Sequence, residues 1–287
     1  MPMRVDCHAH CFVQGLALDG TRRYTPSYDA GIAAYLGMLD ASGMTHGVLV
    51  QPSFLGTDNS YLVSVLQVAP ERLRGIAMVD PAISVEEIAQ LAGQGIVGIR
   101  LNLIGKDDPD FASALWTRHL DRIAAAGWQV EVQCEAARLP RVLPPLLAAG
   151  GNVVIDHFGR PNPLLGIHDP GFTTLLAAAI TKQVWVKLSA GYRLGPDGDR
   201  LAQHAAVELV HAFGPSRLLW GSDWPHTQFE QVADTRTALA ALTRWLPSAA
   251  MRSRVLGSTA AGLFGFGQAE TARRQSGHAD TSAVKAS

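Results

Sequence analysis

A chain of 287 residues exceeds an ordinary domain but matches a single α/β barrel, so one large domain or two small ones fit. Hydrophobic residues make up 47% and charged residues 17%, which supplies a sizeable core and excludes a disordered chain. The 24 Lys+Arg and 25 Asp+Glu leave a formal net charge of -1, too little excess to hold a polyanion non-specifically, which argues against a nucleic-acid partner.

The N-terminal residues reach Arg4 and Asp6 almost at once, with no apolar run suited to a signal peptide, and no later segment reads as a membrane span. Cys7, Cys11 and Cys134 are an odd, sparse set that reads as reduced thiols, and the expectation is a cytoplasmic protein. Eight β-branched runs then recur: Met3–Cys7, Gly47–Gln51, Gly75–Val79, Val97–Asn102, Trp128–Gln133, Asn152–Asp156, Val184–Leu188 and Arg217–Trp220. They are nearly continuous in Val, Ile and Leu, as strands of a parallel sheet buried on both faces should be. Helical patterns lie between them. Tyr28, Ile32, Tyr35, Leu36 and Leu39 share one face, ended by Gly43, and Phe111, Leu115, Trp116, Leu120 and Ile123 repeat this before Gly127. Gly150 and Gly214 precede the sixth and eighth strands.

This alternation predicts a (β/α)8 TIM barrel, one α/β domain over residues 1–267. A doubly wound open sheet is the alternative, but no Gly-x-Gly-x-x-Gly follows the first strand. Residues 268–287 carry almost no large apolar side chain and predict a disordered C-terminal tail.

A barrel gathers its chemistry at the C-terminal ends of its strands, because only there do all the loops converge. The first strand runs into Asp6-Cys7-His8-Ala9-His10, whose two histidines at i, i+2 point the same way and can meet a metal or a substrate oxygen. The sixth delivers Asp156-His157-Phe158-Gly159-Arg160-Pro161, and the eighth Trp220-Gly221-Ser222-Asp223-Trp224-Pro225-His226. A lone His-x-His is weak. Joined to a later strand-end histidine and a last-strand aspartate in barrel register, it is a strong signal.

These residues resemble the amidohydrolase superfamily over nearly the whole chain up to about Phe266. Arg22-Arg23-Tyr24-Thr25-Pro26, Val50-Gln51-Pro52-Ser53 and Gly98-Ile99-Arg100-Leu101-Asn102, with the two blocks above, are similar to its 2-pyrone-4,6-dicarboxylate lactonase group. Most amidohydrolases complete a metal site with a strand-five histidine, whereas this strand ends in Glu131, Gln133, Cys134 and Glu135. A neutral Gln amide replaces that ligand poorly. The resemblance implies chemistry without a divalent metal. The alternative is a zinc-dependent hydrolase or decarboxylase holding the ion through His8, His10, His157 and Asp223, with Glu131 or Glu135 as substitute ligand.

Lactone hydrolysis needs a base for water and donors for the developing oxyanion. Asp223 is the candidate base, or else orients a histidine; His8, His10 and His157 are candidate donors to the scissile carbonyl, with a core role the plainer reading of His157. His226 either orients its loop or touches substrate. Arg100, Lys106, Arg160 and Arg193 crowd the expected barrel mouth, where cations cost desolvation unless an anion meets them, so the expected small-molecule partner is a carboxylated lactone. Asp107, Asp108 or Glu135 could instead pair with any of them. By resemblance, Arg100 and Arg193 match carboxylate binders, and Tyr24 and Ser53 match hydrogen-bonding residues. Lys106 stands where the group has a second arginine, and Gln133 where it has a tyrosine, so a second carboxylate is held differently or is absent.

Trp116, Trp128, Trp185 and Trp245 read as core, whereas Trp224 could line the pocket. Asp58 reads as a helix N-cap, and Cys7, alternating with His8, points away from the site.

Overall fold

The computed structural model describes residues 2–267. The expected tail over 268–287 lies outside the described residues. Eight parallel strands follow in the order of the chain: β1 Val5–Ala9, β2 His46–Val50, β3 Leu73–Ala77, β4 Ile96–Asn102, β5 Gln129–Gln133, β6 Val153–Ile155, β7 Val184–Ser189 and β8 Leu218–Gly221. The intervening helices are α1 Ile32–Ser42, α2 Ser60–Leu66, α3 Val85–Gly93, α4 Ala114–Ala125, α5 Leu139–Ala148, α6 Pro170–Ala177 and α7 Gly198–Phe213. Three more, α8 Thr235–Trp245, α9 Ala249–Arg254 and α10 Ala260–Phe264, follow the last strand. This is the (β/α)8 barrel expected from the alternation. No helix of the described residues is long and apolar enough to cross a membrane.

The period of two along each strand separates an outer from an inner layer. Val184, Val186 and Leu188 of β7 pack outward in the main core, as do Val130 and Val132 of β5 and Leu218 and Trp220 of β8. Inward, Val5, Val48, Val50, Ile76, Val154, Trp185 and Leu219 form a second apolar cluster together with Ala260, Phe264 and Phe266 around α10. Further along, the inner positions turn polar: Trp185 gives way to Lys187 and then Ser189. Cys7 belongs to this inner cluster, near enough to Lys187 to feel its charge. The simple alternation that turned it away from the site does not hold across the irregular stretch of β1, and burial pushes its thiol pKa well up.

Several boundaries differ from the sequence reading. β1 begins at Val5 and extends to Ala9, with an irregular register between Asp6 and Ala9. α1 starts at Ile32, leaving Tyr28 in the preceding loop, where its hydroxyl donates to Glu230 at 2.7 Å. Asn59, not Asp58, stands at the N-cap of α2; the Asp58 carboxylate accepts from the Ser60 N–H at 3.0 Å. Trp224 packs against Tyr35 with ring centroids 5.4 Å apart and does not line the cavity.

The barrel closes where β1 meets the residues that follow β8. The Asp223 N–H donates to the His8 carbonyl and the His10 N–H to the Trp224 carbonyl, both at 2.8 Å. Asp6 reinforces this seam from the outer layer, accepting from the Ser222 N–H at 2.8 Å and its hydroxyl at 2.6 Å. Gly221 is obligatory here, since a Cβ would stand 2.5 Å from the His8 Cβ and 2.9 Å from its backbone nitrogen. Overpacking of this kind costs about 1–3 kcal/mol. Gly221→Ala is expected to lower unfolding stability in urea by that amount. Unchanged stability would mean that the seam is looser than described.

Candidate active site

The seam delivers two imidazoles and one carboxylate to one point, and the end of β6 adds a third imidazole. His8 and His10 leave β1 on its inner side, and their ring centroids lie 4.9 Å apart; the His157 ring, just past β6, is also 4.9 Å from His8. Asp223 Oδ1 is 3.7 Å from His8 Nε2 and 3.9 Å from His10 Nε2. His157 and Asp223 both adopt left-handed backbone conformations, with φ of 52° and 61°, sparsely populated by non-glycine residues and held here by the surrounding turns. The four side chains meet at the C-terminal mouth of the barrel, as their strand-end positions predict.

Asp223 is held by its other oxygen. Oδ2 accepts from Arg193 Nε at 2.7 Å and from the Tyr192 hydroxyl at 2.6 Å. Burial pushes the Asp223 carboxyl up, but the Arg193 guanidinium and the neighbouring imidazoles outweigh it and hold the group well below the usual carboxylate range. Oδ1 has no hydrogen-bond partner among the described residues, and neither has His8 Nε2. The ion-pair partner of Arg193 is therefore Asp223 itself, not the Asp107, Asp108 or Glu135 considered from the sequence. Asp108 instead pairs with Arg138 and Arg141, and Glu135 lies beside Arg138.

Each imidazole is oriented differently. The His10 Nδ1–H donates to the Val50 carbonyl at 2.7 Å, so its neutral ring turns a lone pair, not a proton, toward Asp223. That differs from the expectation of His10 as a donor to the carbonyl. His157 Nδ1 lies 2.8 Å from the Ser189 hydroxyl. His226 is buried behind Tyr192, with Nδ1 3.1 Å from the phenol oxygen, and orients the loop without lining the cavity.

Above this cluster opens a small cavity of about 70 Å³. Tyr24, Ser53, Arg100, Gln133 and Arg193 line it with His10, His157 and Asp223. Two expected binders besides His226 lie elsewhere. Lys106 is exposed on its loop, and Arg160 faces a neighbouring recess that it shares with Glu135 and Arg193. The sequence reading passed over Arg23 and Asn102, which do line the cavity, and Tyr192, which holds Asp223. It also passed over Asp156 and Lys187 as partners of His8. Counting by twos from Trp185 would have placed Lys187 on the inner face. Nothing in the sequence marks Tyr192.

Arg100 spans the wall of the site, donating to the Gln51 carbonyl at 3.1 Å and to the Gln133 side-chain oxygen. It is 5% exposed, and no carboxylate lies within 4.0 Å of its guanidinium among the described residues. Arg23 has no ion pair there either.

A divalent ion fits this donor set poorly. His8, His10 and Asp223 approach closely enough to be considered, as do His8, Asp156 and His157. Yet Asp223 Oδ2 is committed to Arg193, and Glu131 to Lys187 at 2.5 Å. Arg100 and Lys187 would both oppose a second cation.

A family model described as amidohydrolase matches residues 5–266. The chain belongs to the amidohydrolase family. It is 32% identical to a 2-pyrone-4,6-dicarboxylate hydrolase of Comamonas testosteroni, over 88% of this chain and 87% of the relative. A 4-sulfomuconolactone hydrolase of Rhizobium radiobacter is 29% identical, over 91% and 89%. A crystal structure from Acinetobacter baumannii, of a protein proposed as a 2-pyrone-4,6-dicarboxylic acid hydrolase and holding citric acid, superposes with a TM-score of 0.89. It is 39% identical and covers 92% of this chain and 99% of its own.

The site makes stability pH-dependent. Burial, then the Arg100 charge, lowers His10 from 6.5 to about 4. Between those values the unfolded chain takes up a proton that the folded site refuses, so this contribution is complete above pH 6.5 and lost as pH falls toward 4. The difference in melting temperature between the parent and His10→Asn is expected to shift against the parent over that window. A constant difference would show that His10 is not desolvated in the folded protein.

Proposed function

We propose that this protein hydrolyses the ring ester of a small carboxylated lactone, of the 2-pyrone-4,6-dicarboxylate kind, in the breakdown of aromatic compounds. Asp223 activates the water, and no metal takes part. The observation that carries this reading is a buried arginine, Arg100, without a carboxylate partner, at the wall of a cavity whose floor presents an unpaired carboxylate oxygen. A desolvated guanidinium of this kind calls for an anion from outside the chain. The lactone hydrolases among the relatives, and the citric acid held by the Acinetobacter protein, point to the same substrate class.

In this reading the substrate carboxylate pairs with Arg100, while Tyr24 and Ser53 offer hydroxyls. Water beside Asp223 Oδ1 gives up a proton as its oxygen bonds to the ester carbonyl carbon. The charge that develops on the carbonyl oxygen is met by His8 and His157. The ring C–O bond then breaks, and the proton held at Asp223 passes to the leaving oxygen. Arg193 and Tyr192 keep the carboxylate ionised and aimed, which lowers its affinity for a proton and raises the demand on the oxyanion donors. Lys106 is exposed, so any second acidic group is held by something other than that loop.

Asp223→Asn is expected to cut kcat by about 10²-fold or more. Binding of an acidic product should not weaken, because Arg193 is released from its partner. A near-parental rate would remove Asp223 as the base. The reaction class is checked by a screen of pyrone and muconolactone carboxylates, each run with chelator and with added zinc. Ring opening at the same rate in both arms is expected; activity that disappears with the chelator and returns with zinc would favour a zinc-dependent relative instead.

A further inference from the structure

Beneath the three imidazoles lies a cation that the proposed reaction does not use. Lys187, on the inner face of β7, is 0% exposed. Its Nζ donates to Glu131 Oε2 at 2.5 Å and lies 3.3 Å from Asp156 Oδ1, so carboxylates from β5 and from the end of β6 flank it. Its third neighbour is His8, with Nζ 3.1 Å from Nδ1.

An ammonium has three protons and no lone pair. The His8 nitrogen facing it must therefore accept, and a proton on Nδ1 would point into a positive charge. We infer that Lys187 is a positioning residue: its hydrogen bond fixes His8 as the tautomer protonated on Nε2. The competing arrangement is visible in the same cluster, since Asp156 Oδ1 lies 3.3 Å from His8 Nδ1 and would draw the proton to that side. The ammonium stands next to both atoms and decides between them.

The consequence is carried to the other edge of the ring. His8 Nε2 is buried, has no partner among the described residues, and faces Asp223 Oδ1 across 3.7 Å. Protonated there, it is a donor to an oxygen atom bound at that gap and lacks the lone pair that a metal ion would need. His10, pinned by Val50, has the opposite polarity. The site thus pairs one donor imidazole with one acceptor imidazole on either flank of the carboxylate. Burial and the Lys187 charge both keep His8 from becoming doubly protonated.

This inference rests on the proposed lactone hydrolysis only for what His8 donates to, and its principal test needs no substrate. In the full-length protein labelled with ¹⁵N-histidine, with the His8 signals assigned by their loss in His8→Gln, Nε2 should resonate as the protonated nitrogen and Nδ1 as the bare one at neutral pH. A proton on Nδ1, or on both nitrogens, overturns the inference and leaves the hydrolase reading intact. Conversely, the absence of lactone hydrolysis would not alter the spectrum. In Lys187→Met, with Asp156 unopposed, the proton should move to Nδ1, and kcat should fall by about 10²-fold or more with KM little changed. If that variant retains the parental spectrum and kcat, Lys187 does not set the tautomer; if it does not fold, the parental spectrum alone decides.

Discussion

Two hydrogen bonds between β1 and the residues following β8 hold the site together. They close the ring, and the same peptide groups that close it belong to His8, His10 and Asp223. Closure and assembly of the reactive cluster are therefore one event. The chain thus brings together groups more than two hundred positions apart, and the backbone pairing of the first and last strands sets their spacing. Asp6 and Ser222 brace this junction on the outer side, and the bare backbone of Gly221 lets the strands approach. The strain of φ 61° at Asp223 is sustained because the junction fixes the backbone on both sides of it.

Charge is arranged around that junction in two tiers. In the upper tier Asp223 and Arg193 face one another with Arg100 across the cavity; in the lower, Lys187 stands between Glu131 and Asp156. Ions this deeply buried cost several kcal/mol each unless well paired, so the lower set is an expensive way to stabilise a barrel. The ammonium is what keeps the buried carboxylates of Glu131 and Asp156 from standing unpaired. Retaining an ammonium there has a further physical purpose if it acts on the ring above it.

Much of the fold was legible in the sequence because the period-two and period-3.6 signals of a parallel barrel are strong and repeated. The eight runs of β-branched residues all became strands, with edges moved by a residue or two. The convergence of His8, His10, His157 and Asp223 was legible because barrel geometry sends every strand end to one place. What escaped notice depends on side-chain reach. Lys106 and Arg160 sit on the loops where a cation was expected, but one extends into solvent and the other folds toward Glu135. Arg23 enters from the long segment after β1, where no periodic pattern constrains its position. The polarity of His10 depended on a single carbonyl, that of Val50, which no residue pattern announces.

The apolar plug of Trp185, Leu219, Phe264 and their neighbours occupies the opposite end of the barrel from the cavity, and it shares no side chain with the reactive cluster. Folding strength and chemistry are thus drawn from separate stretches of the same strands. A lineage built this way can exchange the loops at the rim, and with them the acid it recognises, while the foundation stays untouched. Lys106 stands on such a rim loop, whereas Gln133, the last residue of β5, accepts from Arg100 and so belongs to the wall of the site itself.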